Sequence, residues 1–388
     1  MIIQSKRIYM EGSFIKAAIE IKDKKIHRFH SYGSVVPDVD YGDKRIVPGF
    51  IDIHCHGAYG WDTNEASPEG LRRWARLLPK EGVTGFCPTT VTQEKEVLIP
   101  ALDNVRAVKK AFTPGKDGAD ILGIHFEGPY INPKFGGAQP GQAIRLPSAL
   151  EFEEYRKASG DNIKIITLAP EMDKDHQLIG YCARSNIRVS LGHTGATYEE
   201  AVLAAANGAV SVTHTFNAQT PFLHRENGVA GAALRLKDLY SEIICDGIHS
   251  TPETLHIFFA SKDRSKAIMV TDSLLCKGCN TDAASLENVY LFGGNPIKLM
   301  EDGLPHLADH PDHPLAGSVL FMNQGLKNLV EKAMVPFDTA LNSCTINPAS
   351  MLGLNDHIGK LNAGYDADIV VLNDDYSVYK TYCKGVLY

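Results

Sequence analysis

Eight apolar, β-branched runs separated by helix-like segments constrain this chain more than any other feature. The runs are FIDIHCH, GVTGFCPTTV, DILGIHFEG, IKIITLAP, RVSLGH, VSVTHTFN, EIICDGIH and AIMVTDS. Segments such as PEGLRRWARLLPKEG, KEVLIPALDNVRAVKKAF, YEEAVLAAANG and PETLHIFFASKDRS lie between them, and SVLFMNQGLKNLVEKAM follows the eighth. These carry helical periodicity or composition. Near-continuous apolar strands suit a parallel sheet covered by helices, and a count of eight favours a closed α/β architecture, the (β/α)8 TIM barrel, over an open sheet. The flanks read differently. Residues 1–48 and 355–388 show short strands with strong alternation and polar turns, so both termini are expected to join in one small β-sandwich beside a barrel of residues 49–354.

A net charge of -7 without a block of lysines and arginines argues against nucleic acid and acidic membranes as partners. The first residues, MIIQSKRIYMEGSF, lack a signal-length apolar run, and no later segment reaches membrane-span length, so a cytoplasmic protein is expected. Eight cysteines follow no framework spacing, and Cys55, Cys87 and Cys245 sit in apolar runs as small hydrophobes. Cys276 and Cys279 form a single C-x-x-C with no second pair, which reads as an ordinary loop.

In a barrel of this kind the active site lies at the carboxyl ends of the strands. The first run ends in His54 and His56, the third in Glu127, the fifth in His193, the sixth in His214, the seventh in His249 and the eighth in Asp272. Alternate residues of a strand point to one side, so His54 and His56 form a pair. Imidazole and carboxylate converging on one rim suit zinc or iron, with enough ligands for one or two divalent ions; manganese accepts them as well.

These residues resemble a known family. PGFIDIHCHG, Asp272 and the tail GKLNAGYDADIVVL resemble the metal-dependent amidohydrolase superfamily, which pairs a (β/α)8 barrel with a small β-sandwich. HFEGPYINPKFGGAQP, SLGHTGATYEEA, VTHTFNAQTPFLHRENGVAGAAL, CDGIHSTPE, VTDS and LAGS are similar to N-acetylglucosamine-6-phosphate deacetylases, nearly end to end. The resemblance implies Glu127, His193 and His214 as the metal ligands common to such deacetylases. It implies His54 and His56 as the pair that holds a second ion in some of them, with Glu127 as bridge. Asp272 matches the catalytic aspartate, which takes a proton from the attacking water and returns it to the departing amine.

For the substrate, an amino-sugar phosphate, the resemblance implies contacts from Asn217, Ala218, Arg225 and His249. A guanidinium fork suits phosphate geometry. Gln139 stands where some relatives have histidine, which changes charge and pH behaviour there, and Ala138 beside it offers a backbone group. Leu315 packs on the acetyl group or sugar. His306, His310 and His313 fit no ligand template and read as a mobile rim loop over the site. In relatives the arginine-bearing loop reaches a neighbouring subunit, which implies a homodimer. The implied reaction is removal of acetate from N-acetyl-D-glucosamine 6-phosphate in amino-sugar metabolism. The galacto epimer, another amidohydrolase reaction and a non-catalytic scaffold stand as alternatives.

Overall fold

The structure, a computed structural model, describes residues 1–279 and 288–388. Each of the eight runs forms a strand: Phe50–Cys55, Val83–Thr90, Ile124–Glu127, Ile163–Leu168, Arg188–Leu191, Ala209–Val212, Tyr240–Ile244 and Ala267–Val270, hereafter strands 1 to 8. Neighbours pair in parallel from strand 1 through to strand 8. Strand 8 then returns to strand 1. Asp272 N–H donates to His54 O at 2.9 Å, and His56 N–H to Ser273 O at 2.9 Å.

The helices between strands begin where the sequence supplies caps. Ser67 caps Pro68–Leu77, Thr251 caps Pro252–Ser261, and Thr197 with Glu200 makes a capping box at Tyr198–Ala206. These side chains satisfy amide groups that a helix start leaves free. Lys95–Ala111 runs through an internal Pro100, and its buried face of Leu98, Leu102, Val105 and Val108 packs in the main core.

Both termini enter one sheet. Strands Ile2–Met10, Ser13–Lys22, Lys25–Ser31 and Arg45–Pro48 come from the start of the chain, and Ile369–Leu372 and Val378–Cys383 from its end. The junction is Ile369–Leu372, antiparallel to Arg45–Pro48. This sheet has its own apolar core, with Ile3, Ile19, Ile46, Ile369, Val371 and Tyr382. Arg45–Pro48 passes through Gly49 into strand 1, and a Cβ at Gly49 would lie 2.1 Å from Thr84 Oγ1. Only glycine lets the chain cross there without displacing strand 2.

A second, smaller sheet follows strand 8. Val289–Phe292, Asn295–Leu299 and Pro305–Leu307 pair antiparallel over the carboxyl rim. Beneath the rim, Lys277 is wholly enclosed, with Nζ 2.7 Å from Glu81 Oε1, and Glu81 Oε2 accepts Met322 N–H at 2.7 Å. This pair ties the loop after strand 8 to the first helical crossover. A buried pair that loses one partner leaves an uncompensated charge. Lys277→Met should therefore lower stability by about 3–5 kcal/mol in urea unfolding; a loss below about 1 kcal/mol would show the pair to be dispensable.

Candidate active site

The strand ends place their polar residues around one cavity of about 200 Å³. His56, Glu127, His193, His214, His249 and Asp272 line it, and His54 lies directly beneath. Several of these residues break the extended backbone where they stand. His193 (φ 49°), His214 (φ 26°), Ala218 (φ 50°) and Asp272 (φ 50°) have left-handed conformations. Such backbone is costly for a residue with a side chain and collects at functional sites. Gly192 precedes His193 because a Cβ there would meet Thr213 Cβ at 2.6 Å.

Glu127 is the hub. Its Oε1 lies 3.4 Å from His54 Nε2, 3.4 Å from His193 Nε2 and 3.3 Å from His214 Nε2, while Oε2 lies 3.2 Å from His56 Nε2. Asp272 Oδ1 is 3.2 Å from His56 Nε2 and 3.4 Å from His54 Nε2. Three sets converge closely enough to hold an ion among the described residues, and two of them include cavity-lining residues: Glu127, His193 and His214, and His54, His56 and Asp272. The buried atoms His54 Nε2 and Glu127 Oε1 lack hydrogen-bond partners, as ligand atoms reserved for a cation would. The donor set therefore fits divalent metal.

Charge follows the same geometry. Burial alone would raise Glu127, but His54 and His193 outweigh it and hold its carboxyl well below the usual range. Burial likewise opposes Asp272, yet His54 and then His56 bring it down to about 2. His56 rises to about 9 because Asp272 and Glu127 overcome its desolvation. The cavity thus keeps two carboxylates ionised, which favours cations.

The substrate-side residues divide. Ala138, Gln139, Asn217, Ala218, His249 and Leu315 all line the cavity. Gln139 is pinned on both sides: its amide donates to Glu127 Oε2 at 2.6 Å and its carbonyl accepts Thr92 N–H at 2.8 Å. Ala138 O accepts from Asn295 at 2.9 Å. His249 stands beyond the end of strand 7 rather than on it, with Nδ1 2.6 Å from Asp246 Oδ2. That bond outweighs desolvation and raises the imidazole above its ordinary pKa. Arg225 is exposed, outside the cavity of its own chain, in a run from Pro221 to Glu226 that is exposed throughout.

His306 stands in the strand Pro305–Leu307 rather than in a loop, and it and His313 bond locally, His306 to Asp302 at 3.0 Å and His313 to Leu307 O at 3.0 Å. They join no converging ligand set among the described residues. All eight cysteines are free, and Cys279 Sγ donates to Leu275 O. Two site residues escape sequence reasoning. Phe292 lines the cavity with its ring 5.1 Å from that of His56, and Glu242 contacts His54 from strand 7. A larger cleft of about 580 Å³ lies at the other end, between the terminal sheet and the starts of strands 7 and 8, away from every ligand set.

Residues 45–387 match the model of the amidohydrolase family. The chain belongs to that family. It is 41% identical to the N-acetylglucosamine-6-phosphate deacetylase of Bacillus subtilis (strain 168), over 88% of this chain and 84% of that one. The human enzyme of the same name is 34% identical over 90% of this chain and 84% of its own. Among solved structures, an aspartate-to-alanine mutant of the Mycobacterium smegmatis deacetylase in complex with N-acetyl-D-glucosamine-6-phosphate has a TM-score of 0.92. That match has 26% identity and covers 100% of this chain and 98% of that one. The Thermotoga maritima deacetylase gives 0.87 at 30% identity, covering 100% and 99%. In this amidohydrolase Glu127 is the carboxylate that reaches the imidazoles of His54, His56, His193 and His214. Glu127→Ala should lose about half or more of the wild-type metal per subunit after dialysis, measured by elemental mass spectrometry; retention of full occupancy would remove Glu127 from the ligand set.

Proposed function

We propose that the protein hydrolyses N-acetyl-D-glucosamine 6-phosphate to D-glucosamine 6-phosphate and acetate. The observation that carries this reading is the likeness, over the whole chain, to a deacetylase bound to that sugar phosphate. The cavity supplies the matching chemistry. Glu127, His193 and His214 would hold one divalent ion and His54, His56 and Asp272 a second, zinc being the cation best suited to imidazole and carboxylate together. The chemistry such an ion would supply there is polarisation of the amide carbonyl and acidification of water.

Asp272 does the proton work. Held down to about 2, it is ionised at neutral pH, and beside its place in the second ligand set its carboxylate accepts the proton of the attacking water. The same carboxyl then returns that proton to the nitrogen as the C–N bond breaks. His249, oriented by Asp246 at Nδ1, offers Nε2 to a sugar hydroxyl, and Asn217 and Ala218 complete the polar wall. Leu315 and Phe292 form its apolar side. Arg225, exposed and outside its own cavity, serves the phosphate in a neighbouring subunit of a homodimer. The setting this reading implies is amino-sugar metabolism in the cytoplasm.

Acetate release from purified protein tests the substrate. The gluco epimer should be preferred to N-acetylgalactosamine 6-phosphate and to unphosphorylated N-acetylglucosamine; a galacto preference would overturn the assignment. Asp272→Asn should reduce kcat about 10²–10⁴-fold with the fold intact, and a near-normal kcat would remove Asp272 as general base. With Arg225→Ala, KM for the phosphorylated sugar should rise at least about tenfold, the loss of one charge-assisted contact; an unchanged KM would place the phosphate elsewhere.

A further inference from the structure

Glu242 lies in strand 7 with its side chain fully enclosed inside the barrel. An ionised carboxylate in such a place is strongly disfavoured unless a donor compensates it. One candidate donor is His125, which with His54 and Glu242 forms a third compact group. Yet both ring nitrogens of His125 are engaged, Nδ1 with Ile53 O at 3.0 Å and Nε2 with Thr167 Oγ1 at 2.7 Å. A carbonyl only accepts, so Nδ1 carries the proton and no lone pair of His125 is left over for an ion. The third group is therefore no metal site.

That leaves His54. Its Nδ1 is 2.9 Å from Glu242 Oε2, and no other hydrogen bond to the Glu242 carboxylate occurs among the described residues. A carboxylate can only accept, which fixes the proton on Nδ1 and turns the Nε2 lone pair towards Glu127 and Asp272, each 3.4 Å away. The other histidines of the two ligand sets lack such a partner. His193 Nδ1 bonds the carbonyl of Phe135 at 2.9 Å, and Nδ1 of His56 and of His214 is buried without any partner.

We propose that Glu242 is a positioning residue for the first-strand half of the metal centre, holding His54 as an Nδ1–H imidazole whose Nε2 binds the ion shared with His56 and Asp272. A carboxylate behind a ligating histidine fixes its tautomer, fixes its ring and raises its basicity. The inference rests on the two-ion reading above, and its test separates the two. Chelator-treated full-length protein is titrated with Zn²⁺ alone, following uptake against a competing dye. Wild type should take up two equivalents per subunit. Glu242→Leu should weaken one step about 10- to 100-fold and leave the other unchanged, and Glu242→Leu combined with His54→Gln should lose no more than His54→Gln alone. Two unchanged steps, or two equally weakened ones, would overturn the proposal.

A wild-type protein that takes up one equivalent would instead overturn the two-ion reading. Nitrogen-15 NMR of histidine-labelled wild type then still decides the positioning role, and it also does so if the leucine variant fails to fold. His54, assigned by the signal lost in His54→Gln, should be protonated at Nδ1 and bare at Nε2. The reverse tautomer would sink the idea.

Discussion

The barrel closes at one seam, and the candidate chemistry sits on that seam. Strand 8 meets strand 1 through the backbone of the site residues themselves: Asp272 N–H on His54 O, and the amides of His56 and Gly57 on Ser273 O. Below them the buried carboxylate of Asp52 accepts Thr271 Oγ1–H at 2.6 Å and the His54 amide at 3.3 Å. Closing the barrel and bringing Asp272 up to His54 and His56 are thus one event. Anything that opened the seam would also pull the second ligand set apart.

From that closure the rest of the site follows by accumulation of charge in a buried space. Burial works against the Glu127 carboxylate, and His54, His193 and His214 beside it hold its carboxyl well below the usual range. The imidazoles are in turn fixed from behind by Glu242, by Phe135 O and by the small sheet that lays Phe292 against His56. Left-handed backbone at His193, His214 and Asp272 shows that the fold tolerates local cost to aim these side chains inward. The enclosed pair of Lys277 and Glu81 anchors the loop that follows Asp272.

Much of this was legible in the sequence. Strand alternation with helices predicted the barrel, since its periodicity is local, and all eight runs became strands. The polar residues that end those runs gathered on one rim, because strand direction is common to a parallel barrel. His249 was harder to place. The strand stops at Ile244, and a turn held by Asp246 carries the histidine the remaining distance. The three-stranded cover after strand 8 also went unforeseen, its short runs being interrupted by glycine and proline.

By itself the sequence determined which ligand types stand at which strand ends, because residue order and local periodicity are enough for that. Only the tertiary structure decided what stands behind them. Glu242 and His54 are 188 positions apart, Glu81 and Met322 241, and no local pattern links residues that meet only after eight strands have curled into a ring. The segment after strand 3 folds Gln139 back onto Glu127, while Arg225 is left outside its own cavity. Packing geometry, not residue type, separates those two outcomes.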